Sequence, residues 1–75
     1  MIIAHILIIT KVGKELDVQK VLQKTQGVTE SHIIYGQYDL ILKVELPTPK
    51  ELHIFIDKLR KDTENIKTTM TLICH

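Results

Sequence analysis

The sequence predicts an α+β fold of the ferredoxin-like kind, βαββαβ: a four-stranded antiparallel sheet with two helices on one face. Three observations carry this. Two stretches, one after Gly13 and one after Pro49, place apolar residues at helical spacing. Short runs rich in β-branched residues stand before and after each of them. Between them, Ser31 to Leu46 reads as two strands hinged on a Gly and an Asp. The order is therefore strand, helix, strand, strand, helix, strand, which is two split strand-helix-strand units.

Ile2 to Thr10 is apolar apart from His5 and Thr10. It is short and β-branched, so it reads as a strand, ended by Val12-Gly13. Lys14 to Thr25 follows with Val18, Val21, Leu22 and Thr25 at i, i+3, i+4, i+7, the stripe of a first helix. Gly27 is placed to stop that helix in a left-handed cap. Val28 then starts the hairpin. His32-Ile33-Ile34-Tyr35 reads as its first strand, Gly36-Gln37-Tyr38-Asp39 as its turn and Leu40 to Leu46 as the return.

The second helix has a capping box, with Thr48 at the N-cap, Pro49 at the first helical position and Glu51 three residues beyond the cap. Leu52, Phe55, Ile56 and Leu59 form its stripe, which fades through Lys61 to Asn65. Ile66 opens a last strand that runs to Cys74. The two halves repeat faintly: both helices begin with Lys-Glu-Leu, at Lys14 and at Lys50.

Length and composition narrow the function classes. Seventy-five residues make one domain, 1–75, and a chain of that size buries only about 60% of its unfolded surface. Ten basic side chains are scattered among nine acidic ones, so no clustered basic face points to direct nucleic-acid binding. One cysteine excludes an internal disulfide. The start, Met1-Ile2-Ile3-Ala4-His5, lacks the basic region and cleavage site of a signal peptide. No apolar run approaches the roughly 20 residues of a membrane helix. These features predict a soluble cytoplasmic protein without membrane partners.

The same topology raises a packing problem. Two helices cover one sheet face, yet Ile2, Ile3, Ile6, Leu7, Ile8 and Ile9 must alternate between both faces. At about 25 cal/mol per Å2, leaving the second face wet forgoes many kcal/mol in so small a fold. The open face is therefore expected to be buried against a second copy, with a homodimer as the minimum assembly.

Residues that could carry chemistry are few. His5, His32, His53 and His75 show no metal-ligand spacing, although antiparallel first and last strands could bring His5 near Cys74 or His75. They read as edge or surface histidines, with no metal and no cofactor. Neither a phosphate loop nor a Ser-His-Asp arrangement with a Gly-rich elbow is present. Asp39, at the start of a strand, admits two readings: it binds a ligand ammonium, or it caps its turn. Thr68, Thr69 and Thr71 are common strand formers, and Tyr35 and Tyr38 suit an interface.

Taken together, Gly27-Val28, Tyr35 to Val44, Leu52, Phe55, Ile56 and Ile66 to Ile73 resemble the effector-binding (RAM) domain of Lrp/AsnC regulators. The most specific part is Gly-x-Tyr-Asp at the hairpin, supported by Thr69-x-Thr71. The resemblance implies dimers formed through the sheets, a dimeric α+β barrel, and further assembly into rings. It implies a small effector, typically an amino acid, bound between dimers. On this sequence the ligand-binding residues would be Gly36, Gln37, Tyr38, Asp39, Thr69 and Thr71. Gly36 would let backbone amides approach a carboxylate, and Asp39 would pair with the ammonium.

Two departures stand out. Regulators of this family usually carry a helix-turn-helix domain before this one, whereas this chain starts directly with the strand. That suggests a stand-alone member that binds no DNA itself and senses a metabolite or joins full-length relatives. Thr68 stands where many relatives place a basic residue. Two alternatives remain in view: a small dimeric α+β barrel enzyme of isomerase or oxygenase type, using His5 or His32, and a purely structural assembly partner.

Overall fold

A computed structural model describes residues 1–61 and 64–74. Its elements are β1 (Ile2–Thr10), α1 (Glu15–Leu22), β2 (Val28–Ile33), β3 (Leu40–Leu46), α2 (Pro49–Lys61) and β4 (Ile66–Cys74). The strands form one antiparallel sheet in the order β2-β3-β1-β4. This is the ferredoxin-like arrangement expected.

Strand alternation sorts the side chains. Ala4, Ile6 and Ile8 of β1 stand opposite Val44, Leu42 and Leu40 of β3, and all six are fully buried. They meet Val18 and Leu22 of α1 and Leu52, Phe55 and Leu59 of α2 in one core. Both helices therefore lie over the same sheet face. At about 1.5–3 kcal/mol for each large apolar side chain fully buried, this layer is the main stabilising term of the fold.

Two boundaries differ from expectation. The first helix ends at Leu22 rather than Thr25. Beyond it, the Lys24 and Thr25 amides donate to the carbonyls three residues back, Val21 and Leu22, and the chain tightens into a turn. The helical period no longer applies at Thr25, and Val21, although within the helix, is exposed. In the hairpin, β2 ends at Ile33, so Ile34 and Tyr35 belong to the connection. The Ile34 N–H donates to the Asp39 carbonyl at 2.9 Å and closes a loop over residues 34–39.

The second helix starts where its cap predicts. The Glu51 amide donates to the Thr48 hydroxyl at 3.3 Å, satisfying one of the free N–H groups of the first turn. Replacing Thr48 by Ala should cost about 1 kcal/mol in denaturant unfolding. An unchanged midpoint would show that this cap is not stabilising.

Candidate functional site

Most of the expected site residues lie towards one end of the sheet, with Thr71 nearer its middle. Gly36 and Gln37 are exposed on the loop between β2 and β3, and Gly36 adopts φ +143° with open space where a Cβ would stand. Tyr35, beside them, is 98% exposed. Tyr38 turns back over the sheet, its hydroxyl 3.7 Å from Met70 Sδ of β4.

Asp39 is tied into the end of β1. Its N–H donates to the Ile8 carbonyl at 2.9 Å. Its Oδ2 accepts from the Thr10 amide at 2.8 Å and lies 3.3 Å from the Thr10 hydroxyl. The carboxylate thus adds a rung to the β1–β3 ladder where the backbone ladder ends, and it satisfies Thr10, a buried polar residue. Thr10 is the partner that sequence reasoning missed. It stands 29 residues away, and only the strand register brings it to Asp39.

Thr69 and Thr71 sit on β4 opposite Ile8 and Ile6, on the helix side of the sheet and partly buried. The central strand β1 separates them from Asp39, so Thr69 and Asp39 are about 10 Å apart, two strand spacings. Met70, the contact of Tyr38, alternates with these threonines and belongs to the opposite face. Within one protomer Gly36 to Asp39 and Thr69 lie towards one end of the sheet, Thr71 stands opposite the middle of β1, and the six residues do not close around a common cavity. Apolar clefts lie elsewhere. One of 210 Å3 separates α1 from α2 at Val21, Leu22, Phe55 and Leu59. Another, of 340 Å3, runs between α2 and the end of the sheet at Ile2, Leu52, Ile56 and Ile73.

The face away from the helices is apolar at its centre and charged towards β2. Leu7 stands between Ile41 of β3 and Met70 of β4, and His5 between Lys43 and Leu72. Met70 and Leu72 are 44% and 50% exposed. Glu30 of β2 lies 3.7 Å from Lys43 and 3.5 Å from His32. The expected approach of His5 to Cys74 is present, with Nδ1 3.3 Å from Sγ. The alternative approach to His75 falls outside the described residues. His53 is exposed on α2 and lies 3.3 Å from Asp57. Among the described residues no three metal-ligating side chains converge, and no helix is long and apolar enough to cross a membrane.

Comparison with known proteins decides the family. The family model described as the Lrp/AsnC ligand binding domain matches residues 4–74. The chain belongs to the Lrp/AsnC family. It is 33% identical over 72 residues to the HTH-type transcriptional regulator FL11 of Pyrococcus furiosus, covering 96% of this chain and 47% of that protein. It spans about half the length of that curated relative. Among solved structures, the hypothetical protein PHS023 from Pyrococcus horikoshii is similar at 45% identity and a TM-score of 0.93, covering 100% of this chain and 90% of that one. Escherichia coli AsnC is similar at 31% identity and a TM-score of 0.79, covering 97% of this chain and 50% of its own. The Lrp/AsnC relationship thus extends through all six elements.

Proposed function

We propose that this Lrp/AsnC domain is an effector-binding and oligomerisation module, not an enzyme, that takes a small effector, an amino acid, at interfaces between dimers. The observation that carries the reading is the family match over residues 4–74. The geometry is consistent with it. Most of the candidate residues line a surface end of the sheet, and the six enclose nothing by themselves, as a site completed by a neighbouring dimer requires. The half-covered apolar face around Leu7 supplies a surface for the dimer itself. Association with Lrp/AsnC regulators fits this reading, since one relative is named as an HTH-type transcriptional regulator.

In this reading Asp39 has two tasks. Oδ2 holds Thr10, and the carboxylate charge attracts the ammonium of the effector, a charge-assisted contact worth roughly 1.5–3 kcal/mol. The two tasks separate by substitution. Asp39→Ala removes the acceptor for a buried N–H, which costs about 1–3 kcal/mol of stability and confuses any binding measurement. Asp39→Asn keeps an oxygen for Thr10 and removes only the charge. Calorimetric titration with a panel of amino acids should show affinity reduced by at least about tenfold in Asp39→Asn, with the melting temperature nearly unchanged. An amino acid that binds parent and variant equally well would remove Asp39 from the site.

The Asp39–Thr10 contact also favours a second reading, that of a structural assembly partner in which the hairpin only shapes the end of the sheet. In that case no amino acid shifts the melting temperature of the parent protein.

A further inference from the structure

We propose that the outer edge of β4 is the seam between dimers, paired antiparallel with the β4 edge of a second copy. This seam gives the contact between dimers its structural element, and it rests on the sheet-to-sheet dimer inferred above. In an antiparallel strand each residue turns its N–H and C=O to the same side, and successive residues alternate. The Ile8 carbonyl accepts from the Asp39 N–H, so the even residues of β1 turn towards β3. Its odd residues turn towards β4, where Ile3, His5, Leu7 and Ile9 stand opposite Cys74, Leu72, Met70 and Thr68. Lys67, Thr69, Thr71 and Ile73 therefore direct their N–H and C=O groups away from the sheet. Among the described residues no strand lies beyond them.

The two edges of the sheet are not alike. β2 has six residues, a bulge between Val28 and Glu30, and an acidic side chain at Glu30. Its outward Ser31 carbonyl already accepts from the Gln19 side chain of α1 at 3.3 Å. Such features blunt an edge. β4 has nine residues, keeps its register with β1 from Thr68 to Cys74, and carries one charged side chain, Lys67. Against a second β4 the whole strand overlaps when Met70, its midpoint, lies on the two-fold axis. The two Lys67 side chains then lie at opposite ends of the seam. Each stands opposite Ile73 of the other copy, where its apolar stem covers the cleft of Ile2, Leu52 and Ile56. Thr69 of one copy stands opposite Thr71 of the other. The threonine part of the candidate site is thus supplied by two dimers and is incomplete in one. A strand seam alone is smaller than the roughly 1,000 Å2 of a stable interface. It therefore joins dimers, each of which presents two β4 edges, and does not hold single protomers together.

Sedimentation over a concentration series, on the full chain, tests this. Parent dimers should associate into larger species. Thr71→Pro removes one outward N–H and none of the bonds between β1 and β4. It should leave the dimer intact and weaken association between dimers at least about tenfold. Thr71→Val keeps the N–H and should associate within about threefold of the parent. Ser31→Pro, the same change on the outward side of β2, should also follow the parent. Circular dichroism confirms that each protein is folded, and if Thr71→Pro is not, Ile73→Pro removes another outward N–H nearer the strand end. A parent that remains a dimer at every concentration overturns the proposal and leaves the dimer standing. So does a proline variant of β4 that associates like the parent, or an equal loss in Thr71→Val or Ser31→Pro. A monomeric parent overturns the dimer reading, and this inference with it. No effector enters these measurements, so the effector assignment stands or falls separately, on the Asp39→Asn titration.

Discussion

A Leu7→Glu protein should fold like its parent and remain a monomer at concentrations where the parent pairs. Leu7 points away from the helices, between Ile41 and Met70 at the centre of the open face. A glutamate there stays solvated in the single protomer and disturbs none of the buried core, so the melting curve should move little. In a dimer, symmetry buries two such carboxylates at the apolar centre of the face, at several kcal/mol each. Pairing should weaken by more than about a thousandfold, which sedimentation or light scattering reads as a change of mass. Lys20→Glu on the exposed side of α1 is the matched control, and its mass should equal that of the parent. A Leu7→Glu protein with the parent's mass would mean that the open face is not the contact between copies.

That experiment tests a deduction available from the sequence alone. Ile2 to Ile9 cannot all face one way, and the structure sorts them as alternation requires, with Ile6 and Ile8 in the core and Leu7 and Ile9 on the other side. The start of α2 was equally legible, because Thr48, Pro49 and Glu51 act within four residues of one another. Less legible was whatever depends on distant partners. Nothing near Thr25 in sequence announces that α1 stops three residues before it. Ile34 and Tyr35 have strand-forming side chains, yet the pairing that would have kept them in β2 is replaced by the closure from Ile34 to Asp39. At the candidate site, Gly36 and Asp39 were identified by type and spacing, and their place at the sheet end follows from the topology. The role of the Asp39 carboxylate was hidden, since its partner Thr10 lies in another strand and local turn chemistry offered only its own backbone. The split of Tyr38 from Thr69 and Thr71 between two faces was hidden for the same reason, because it follows from β4 register rather than from the motif.

Gly27→Ala should be among the most damaging single-methyl changes in the chain, costing about 2–5 kcal/mol. Two terms add. Gly27 holds φ +100°, where an L side chain is strained by roughly 1–2 kcal/mol. A Cβ there would lie 2.6 Å from Leu46 Cδ2 and 3.2 Å from Leu46 Cγ, and overpacking of this kind costs about 1–3 kcal/mol. Neither partner has an easy retreat. The Gly27 carbonyl accepts from the Glu45 amide at 2.8 Å, which fixes the entry to β2 against the end of β3, and Leu46 is packed in the core. A domain of this size has about 4–11 kcal/mol of stability in all, so the loss is a large share of it. Gly36→Ala separates the terms, because Gly36 also has positive φ but meets nothing within 4 Å. It should lose the backbone part alone. The double variant Gly27→Ala/Leu46→Ala completes the argument. If the clash matters, the two substitutions cost less together than the sum of their separate effects, by about 1 kcal/mol or more in denaturant unfolding. Strict additivity would assign the whole loss to backbone strain and leave Leu46 without a part in it.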